Sequence, residues 1–126
     1  MTKTAAVVLN GQIVTMGMTA TSFPATGGNA AAGAVGLALQ VVCVYSAAVT
    51  VGVLVEVLTS PDNTNYDTEA YVSQFVPIIA AGGTKTLTIA IPYAEDIQYY
   101  RVRLTGHTAS AGVTATITIN ESAVTP

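Results

Sequence analysis

Hydrophobic and polar residues alternate with a period of two over most of residues 35–120, which is the repeat of a β-strand. Residues 51–58 carry valine at every odd position, while residues 84–91 and 113–119 carry aliphatic residues with threonines between them. No segment shows the 3.6-residue apolar period of an amphipathic helix. Short strands with turn signals roughly every 8 to 12 residues are typical of sandwiches. The pattern therefore predicts an all-β fold, an antiparallel β-sandwich of the immunoglobulin-like or jelly-roll-like kind.

The first 34 residues follow a different pattern. Asn10-Gly11 lies between two short apolar stretches, TAAVVL and QIVTM, and this dipeptide is a strong signal for a two-residue β-hairpin. Residues 17–34 contain no charge, and Phe23 is their only large apolar residue besides Met18. Such a segment lacks the material for a core of its own, which predicts either an arm that docks on a partner or a flexible linker. The sequence thus divides into a hairpin plus arm, residues 1–34, and a sandwich, residues 35–126.

The composition indicates a subunit of an assembly. Of 126 residues, 51% are hydrophobic and only 9% are charged, whereas a typical soluble domain has roughly 25% charged residues. A surface so poor in charge usually meets partners, which predicts a homo-oligomer. With four Lys and Arg in total and a net charge of −3, the chain lacks the basic stripe that nucleic-acid binding needs. No apolar run approaches the roughly 20 residues that span a bilayer, so we predict no membrane partner.

Residues for catalysis are sparse. His107 is the only histidine, and it lies in a predicted turn roughly 25 Å along the preceding strand from Glu95 and Asp96. A nucleophile, its base and an orienting carboxylate must instead lie within hydrogen-bond reach of one another. Cys43, the only cysteine, lies within an apolar strand and is expected to be a small buried hydrophobe. The sequence therefore predicts no enzyme, no catalytic residues and no cofactor.

The segment TSPDNTNYDTEAY, residues 59–71, is the most polar part of the chain. Calcium takes six to eight oxygen ligands, and this run lacks the glycine and the closing glutamate of an EF-hand loop. Turn chemistry explains the same residues, because Pro61 presets φ while Asp and Asn cap backbone amides. We predict that residues 61–65 turn the chain and residues 66–71 begin the return strand. The alternative is a calcium site whose candidate ligands are Asp62, Asn63, Asn65 and Asp67.

Charged residues interrupt two of the predicted strands. Glu56 shares a strand face with leucines, and Arg101 and Arg103 share a face with Tyr99. An ion pair between Glu56 and one of the arginines across neighbouring strands would contribute a few tenths to about 1 kcal/mol. Arginines left free would indicate a docking patch. The candidate interface residues are Phe23, Tyr66, Tyr71, Tyr99, Arg101 and Arg103.

The sequence carries two resemblances to known proteins. The segment LTIAIPYAEDIQYYRVRL resembles the corner before the sixth strand of immunoglobulin-like sandwiches, where a tyrosine, here Tyr100, bonds back to the corner. The elements at residues 60–68, 99–104 and 113–119 together resemble small structural proteins of tailed bacteriophages, although Pro61 and Asn63 replace the commoner Asp-Gly turn.

The phage resemblance implies a virion component that is assembled in the host cytoplasm. The favoured role is a capsid decoration, or cement, protein that docks on the lattice of the major capsid protein, as a homotrimer. A neck, connector or tail protein is the alternative within this class. From another class, a carbohydrate-binding module remains open, with an aromatic platform and polar turn residues that bind sugar hydroxyls. The platform would consist of Tyr66, Tyr71, Tyr99 and Tyr100, and the turn residues are Asp62, Asn63 and Asn65.

Overall fold

A computed structural model describes residues 1–79, 82–108 and 112–126 of the chain. Within these residues the chain forms nine strands and one short 3₁₀ turn, Ala94–Asp96. The strands are β1 (Thr2–Thr15), β2 (Gly17–Phe23), β3 (Asn29–Ala30), β4 (Gly36–Tyr45), β5 (Val53–Ser60), β6 (Val72–Val76), β7 (Thr84–Ala90), β8 (Tyr99–His107) and β9 (Thr114–Thr125).

The strands form two antiparallel sheets that pack face to face. The first sheet has the order β1-β9-β4-β7, and the second has the order β2-β8-β5-β6, with β3 also paired to β8. Consecutive strands often lie in different sheets, so the chain crosses repeatedly between the two layers. The predicted all-β antiparallel sandwich is therefore confirmed.

The core lies between the two sheets and is built by the alternation visible in the sequence. Odd residues of β4 and β5, such as Val41 and Val55, point inward and are fully buried. Even residues of β8 and odd residues of β9 complete the layer, including Val102 and Ile117. Cys43 belongs to this core, and burial raises the pKa of its thiol to about 11. Its predicted role as a small buried hydrophobe is confirmed.

The predicted N-terminal hairpin is wrong. Residues Thr2–Thr15 form one strand that pairs with β9 along its whole length. Asn10-Gly11 lies where the register shifts between Leu9 and Gln12, and Gly11 has a φ of 62°. A bulge needs the same positive φ as a tight turn, so the dipeptide signals both. The backbone N–H of Gly11 donates to Oγ1 of Thr118 at 3.1 Å, which holds the bulge on β9.

The predicted arm is also wrong, because half of residues 17–34 form strands of the second sheet. β2 pairs with β8 from Gly17 to Phe23, and β3 pairs with β8 at its first two residues. The Phe23 side chain packs against the core, and the Phe23–Pro24 peptide bond is cis. A segment rich in Gly and Thr can form these strands because strand pairing uses backbone groups. Residues 1–34 thus contribute one strand to the first sheet and two to the second.

The polar segment after β5 turns the chain later than predicted. β5 ends at Ser60 and β6 begins at Val72, so residues 66–71 belong to the loop and not to the return strand. The register pairs Val57 with Val72, which closes an antiparallel hairpin with a long loop. β6 ends at Val76, directly before Pro77, as the proline predicts.

Two buried tyrosines tie the layers together. The Tyr100 hydroxyl donates to Oε1 of Glu121 on β9 at 2.5 Å, so it does not bond back to the corner as the immunoglobulin-like resemblance implied. Burial and the nearby Glu121 carboxylate raise the pKa of Tyr100. The Tyr45 hydroxyl donates to the Val76 carbonyl at 2.5 Å and accepts from the Val53 N–H at 3.3 Å. Each phenol therefore joins a strand of one sheet to strands of the other.

Candidate interaction faces

The two outer faces of the sandwich differ in charge. The outer face of the second sheet carries Glu56, Arg101 and Arg103, and we call it the charged face. On the outer face of the first sheet, the only charged residue along the described strands is Lys3, near the start of β1. This second surface is rich in threonine, and we call it the threonine face. Either could meet a partner, but they would recognise different surfaces.

On the charged face, the ion pair expected from the sequence is present and involves Arg103. Nε and Nη2 of Arg103 donate to the two carboxylate oxygens of Glu56 at 3.0 and 2.9 Å, across the paired strands β8 and β5. Its third donor, Nη1, reaches the Thr68 carbonyl at 3.1 Å. The bond to Glu56 raises the pKa of Arg103. Arg103 therefore anchors the loop after β5 to the sheet and is not a free docking arginine.

Arg101 is held by a different set of contacts. Its guanidinium lies over the Tyr66 ring, 4.3 Å from the ring centroid, in the geometry of a cation–π contact. The Tyr66 hydroxyl donates to Oδ1 of Asn63 at 2.7 Å. Leu58 is the cross-strand neighbour of Arg101 on the same face, and only 2% of Leu58 is exposed. Arg101 and the Tyr66 ring stacked on it thus cover this part of the sheet, which explains a leucine at an outward position.

Asp62 organises the first part of the loop between β5 and β6. Its Oδ1 accepts from the backbone N–H groups of Thr64 and Asn65 at 2.9 and 2.8 Å, and from the Ser60 hydroxyl at 3.0 Å. Its Oδ2 accepts from the Asn65 side chain at 2.7 Å. The backbone donors lower the pKa of the Asp62 carboxyl. This is the predicted turn chemistry, while calcium binding by these residues stays a prediction.

The lowered pKa of Asp62 predicts a pH-dependent contribution to stability. The carboxyl binds a proton more weakly in the folded chain, so the ionised form stabilises the fold above the ordinary pKa of about 3.9. That contribution is lost as the pH falls through the folded pKa. We expect Asp62→Asn to lower the urea midpoint at pH 7, with a gap to the unchanged protein that narrows as the pH drops below about 4.

The matched control for this measurement is Asp67→Asn, the same substitution in the same loop. Asp67 accepts one side-chain bond, from the Thr59 hydroxyl at 3.2 Å. At pH 7 we expect Asp67→Asn to lower the urea midpoint by less than Asp62→Asn does. A gap between Asp62→Asn and the unchanged protein that stays constant from pH 7 to about pH 3 would show that the charge of Asp62 is irrelevant.

The threonine face is made by register across all four strands of the first sheet. Ile13, Thr116, Val44 and Thr84 stand opposite one another in one row. The rows that follow repeat the pattern of hydroxyl, amide and aliphatic groups. The face comprises Ala5, Val7 and Ile13 of β1, Thr116, Thr118, Asn120 and Ser122 of β9, Ala38, Gln40, Val42 and Val44 of β4, and Thr84, Thr86, Thr88 and Ala90 of β7.

Strand β1 borders the threonine face and has a free edge. Among the described residues it pairs only with β9, so its other edge offers unpaired backbone groups. Every residue from Thr2 to Val7 is exposed, and Lys3 is the only charge on the strand. Natural edge strands are usually blunted by charges or prolines, and β1 has one lysine and no proline. The edge is therefore suited to pairing with another chain.

The interface residues expected from the sequence are distributed over several places. Tyr99 lies half-buried at the start of β8, and Tyr71 lies exposed in the loop before β6. The proposed sugar platform does not form, because Tyr100 is buried in the core while Tyr99 points outward from the same strand. The threonine face was not among the candidates. The outward threonines were visible in the sequence, but the placement of β4 between β7 and β9 was not.

A groove of about 190 Å³ lies at the end of the sandwich where the chain passes from β7 to β8. Tyr71 forms part of its wall and donates from its hydroxyl to the Pro92 carbonyl at 2.6 Å. Tyr93, two residues before Glu95, is 70% exposed and adopts the left-handed conformation with a φ of 54°. Glu95 and Asp96 lie in the 3₁₀ turn that precedes β8. The lining residues are Thr59, Ser60, Pro61, Tyr71, Asp96, Ile97 and Gln98.

His107 is placed at the end of β8, and the turn predicted around it includes residues 109–111, which lie outside the described residues. Its ring meets Phe75 edge-on, with centroids 5.8 Å apart. Within the described ranges, no group of three or more His, Cys, Asp and Glu side chains is arranged to hold a metal. None of the helices found in the described part of the chain has the length and apolar character of a membrane span.

No protein-family model matches the chain, and no curated protein sequence matches it. Solved structures of a pilus and of virus particles align with nearly all of it. A chain of the disulfide-linked pili that form Bacillus endospore appendages aligns with a TM-score of 0.51 at 10% identity, covering 98% of this chain and 87% of that one. A chain of the T13 particle of infectious bursal disease virus gives 0.56 at 11% identity, covering 98% and 31%. A chain of the Gx strain of that virus gives 0.51 at 12%, covering 97% and 31%.

These similarities show the fold and nothing finer, because the identities are far below the range in which function transfers. The chain spans about a third of the length of the two virus chains, so it corresponds to one part of them. It is a β-sandwich of a kind that occurs in virus particles and in a pilus.

Proposed function

We propose that the protein is a non-enzymatic structural subunit of a virion, specifically a capsid decoration protein that docks on the lattice of the major capsid protein. The observation that carries this proposal is the threonine face with the free edge of β1 beside it. Docking surfaces are depleted of charge at their centre. On the described outer side of the first sheet Lys3, near the start of β1, is the only charged residue, while the opposite face carries Glu56, Arg101 and Arg103. The first is therefore the docking side, and the charged face is turned to solvent.

The free edge of β1 supplies a second means of attachment. A strand added to a sheet edge gains affinity from backbone hydrogen bonds, and side-chain pockets add specificity. Residues Thr2–Val7 present that edge together with apolar side chains. We propose that β1 pairs with a strand of a neighbouring subunit, and that cyclic symmetry closes the set of subunits as a trimer. Light scattering on the purified chain separates a trimer from a monomer that associates only on the capsid.

The docking proposal is tested with a matched pair of lysine substitutions. Val44, on the threonine face, is 44% exposed, and Val51, outside that face, is 42% exposed. Both variants should fold, because neither side chain lies in the core. We expect Val44→Lys to weaken binding to capsids assembled without the protein by at least about tenfold, since docking would bury an unpaired charge. Val51→Lys should bind like the unchanged protein, as measured by co-sedimentation.

The same particles test stabilisation. Capsids that carry the unchanged protein should withstand heat and osmotic shock better than bare capsids, and capsids incubated with Val44→Lys should resemble bare ones. The proposal fails if Val44→Lys and Val51→Lys bind equally well, or if bound protein leaves the resistance of the capsid unchanged. Binding to purified necks or tails instead of capsids would support the same class of function at another position in the virion.

A further inference from the structure

We propose that the groove beside Tyr71 and Tyr93 binds a short uncharged saccharide. This site is independent of capsid docking, because none of its lining residues belongs to the threonine face. It also differs from the platform that the sequence suggested, since Tyr93 and Gln98 were not among those residues. Sugars present an apolar ring face and a rim of hydroxyls, so a site for them needs an exposed aromatic ring beside fixed donors and acceptors.

The groove provides acceptors and donors of the required kind. The groove is lined by Asp96 and Gln98 from the segment before β8 and by Thr59 of β5, whose hydroxyl already donates to Asp67 at 3.2 Å and keeps its acceptor capacity. A carboxylate accepts two hydrogen bonds at once, and an amide both donates and accepts, which suits neighbouring hydroxyls on one ring. Within the described residues, neither Asp96 nor Gln98 uses its side chain in a hydrogen bond that would compete with a ligand.

Both walls of the groove are fixed by backbone hydrogen bonds. On the loop side, the N–H of Asp67 donates to the Thr59 carbonyl at 3.0 Å and the N–H of Tyr71 donates to the Val57 carbonyl at 2.8 Å. On the other side, the N–H of Asp96 donates to the Tyr93 carbonyl at 3.0 Å. The Tyr71 hydroxyl bridges the two walls through its bond to Pro92. A groove fixed in this way costs little ordering free energy on binding.

Tyr93 supplies an independent reason to regard the groove as a site. A left-handed conformation is uncommon and unfavourable for a residue with a large side chain. Such residues cluster at ligand sites, where the unusual backbone aims a side chain. Here it accompanies an aromatic ring that is 70% exposed and lies outside the lining itself, one residue after Pro92, whose carbonyl accepts from the Tyr71 hydroxyl. Burying this ring against a sugar would recover apolar contact that the folded chain leaves in water.

The charge around the groove selects against acidic sugars. Asp96 lines it, Glu95 is next in the chain, and Asp67 and Glu69 border the adjoining open surface beside Tyr71. The four lysines and arginines of the chain all lie outside the lining. Sialylated or sulfated glycans would therefore be repelled, which limits the ligand to uncharged saccharides.

The experiment is a glycan array followed by titration calorimetry with maltotriose, cellotriose and triacetylchitotriose as probes. We expect at least one neutral glycan to bind with a Kd of about 1 mM, as a shallow single site would give. Tyr93→Asn removes the ring but suits left-handed backbone, and Asp96→Asn removes the charge at constant shape. Each should weaken binding at least about tenfold.

Two matched controls separate the site from general damage. Met18→Asn changes another exposed residue with positive φ, 54% exposed and 67°, and Glu95→Gln removes the neighbouring charge outside the lining. Both should bind like the unchanged protein. The proposal is overturned if no neutral glycan binds at up to about 10 mM. It is equally overturned if acidic glycans bind best, or if Tyr93→Asn and Asp96→Asn bind like their controls.

Discussion

Replacing Gly106 with alanine is expected to lower the free energy of unfolding by about 3 kcal/mol or more, enough to unfold a marginal domain. Gly106 lies in β8 at an inward position, against the chain segment that joins β1 to β2. A Cβ there would meet the backbone of Met16, with its carbonyl carbon and oxygen at 2.7 and 2.9 Å. Backbone atoms cannot move aside like a flexible side chain, and Met16 is itself held by a bond from its N–H to the Val113 carbonyl.

The matched control for Gly106→Ala is Gly112→Ala. A Cβ at Gly112 has no heavy atom within 4 Å, so this substitution should change stability by no more than about 1 kcal/mol. Urea unfolding followed by circular dichroism measures both variants. If Gly106→Ala unfolds at the same urea concentration as Gly112→Ala, the crossing from the first sheet to the second does not lie against β8.

Tyr45→Phe is expected to lower the free energy of unfolding by about 1–3 kcal/mol, the cost of leaving buried partners unpaired. The Tyr45 hydroxyl is the shared partner of the Val76 carbonyl and the Val53 N–H. Removing that one oxygen atom leaves the Val76 carbonyl and the Val53 N–H in the interior without this hydrogen-bond partner. The ring itself stays, so the loss comes from hydrogen bonding and not from a cavity.

Tyr99→Phe is the matched control for Tyr45→Phe. Tyr99 points outward from β8 and is half-buried, so loss of its hydroxyl should change stability by less than about 0.5 kcal/mol. The slope of the urea transition should remain the same in both variants, because neither alters the surface exposed on unfolding. Equal midpoints for the two variants would show that the Tyr45 hydroxyl is not a link between the sheets.

The strands with one buried face could be predicted from the sequence, and those without one could not. β4, β5, β7, β8 and β9 bury alternate residues, so their apolar period is visible. The first half of β1 buries neither face, and β2 buries little, so the Asn10-Gly11 dipeptide suggested a hairpin and the composition of residues 17–34 suggested an arm. Their pairing rests on backbone groups, which every residue but proline supplies.

Contacts between neighbouring strands were predictable only where charge selects a partner. Glu56 shares its outward face with leucines, so its pairing with an arginine of β8 was predicted as an opposite-charge contact between neighbouring strands. The threonine face and the saccharide groove depend instead on which strands become neighbours. That order is set by the packing of the whole sandwich, and no short stretch of sequence contains it.

The pairing of the first strand with the last has a kinetic consequence. The bond from Gly11 to Thr118 joins residues 107 positions apart, and β1 finds no other partner in the described sandwich. During synthesis β1 leaves the ribosome with an apolar, nearly uncharged edge. It cannot pair with β9 until the residues that separate the two strands, most of the chain, have been made. Contacts of such long range form late and slowly. A nascent or stalled chain would therefore expose β1 to premature association with other chains. The yield of folded protein should depend on how fast translation reaches β9.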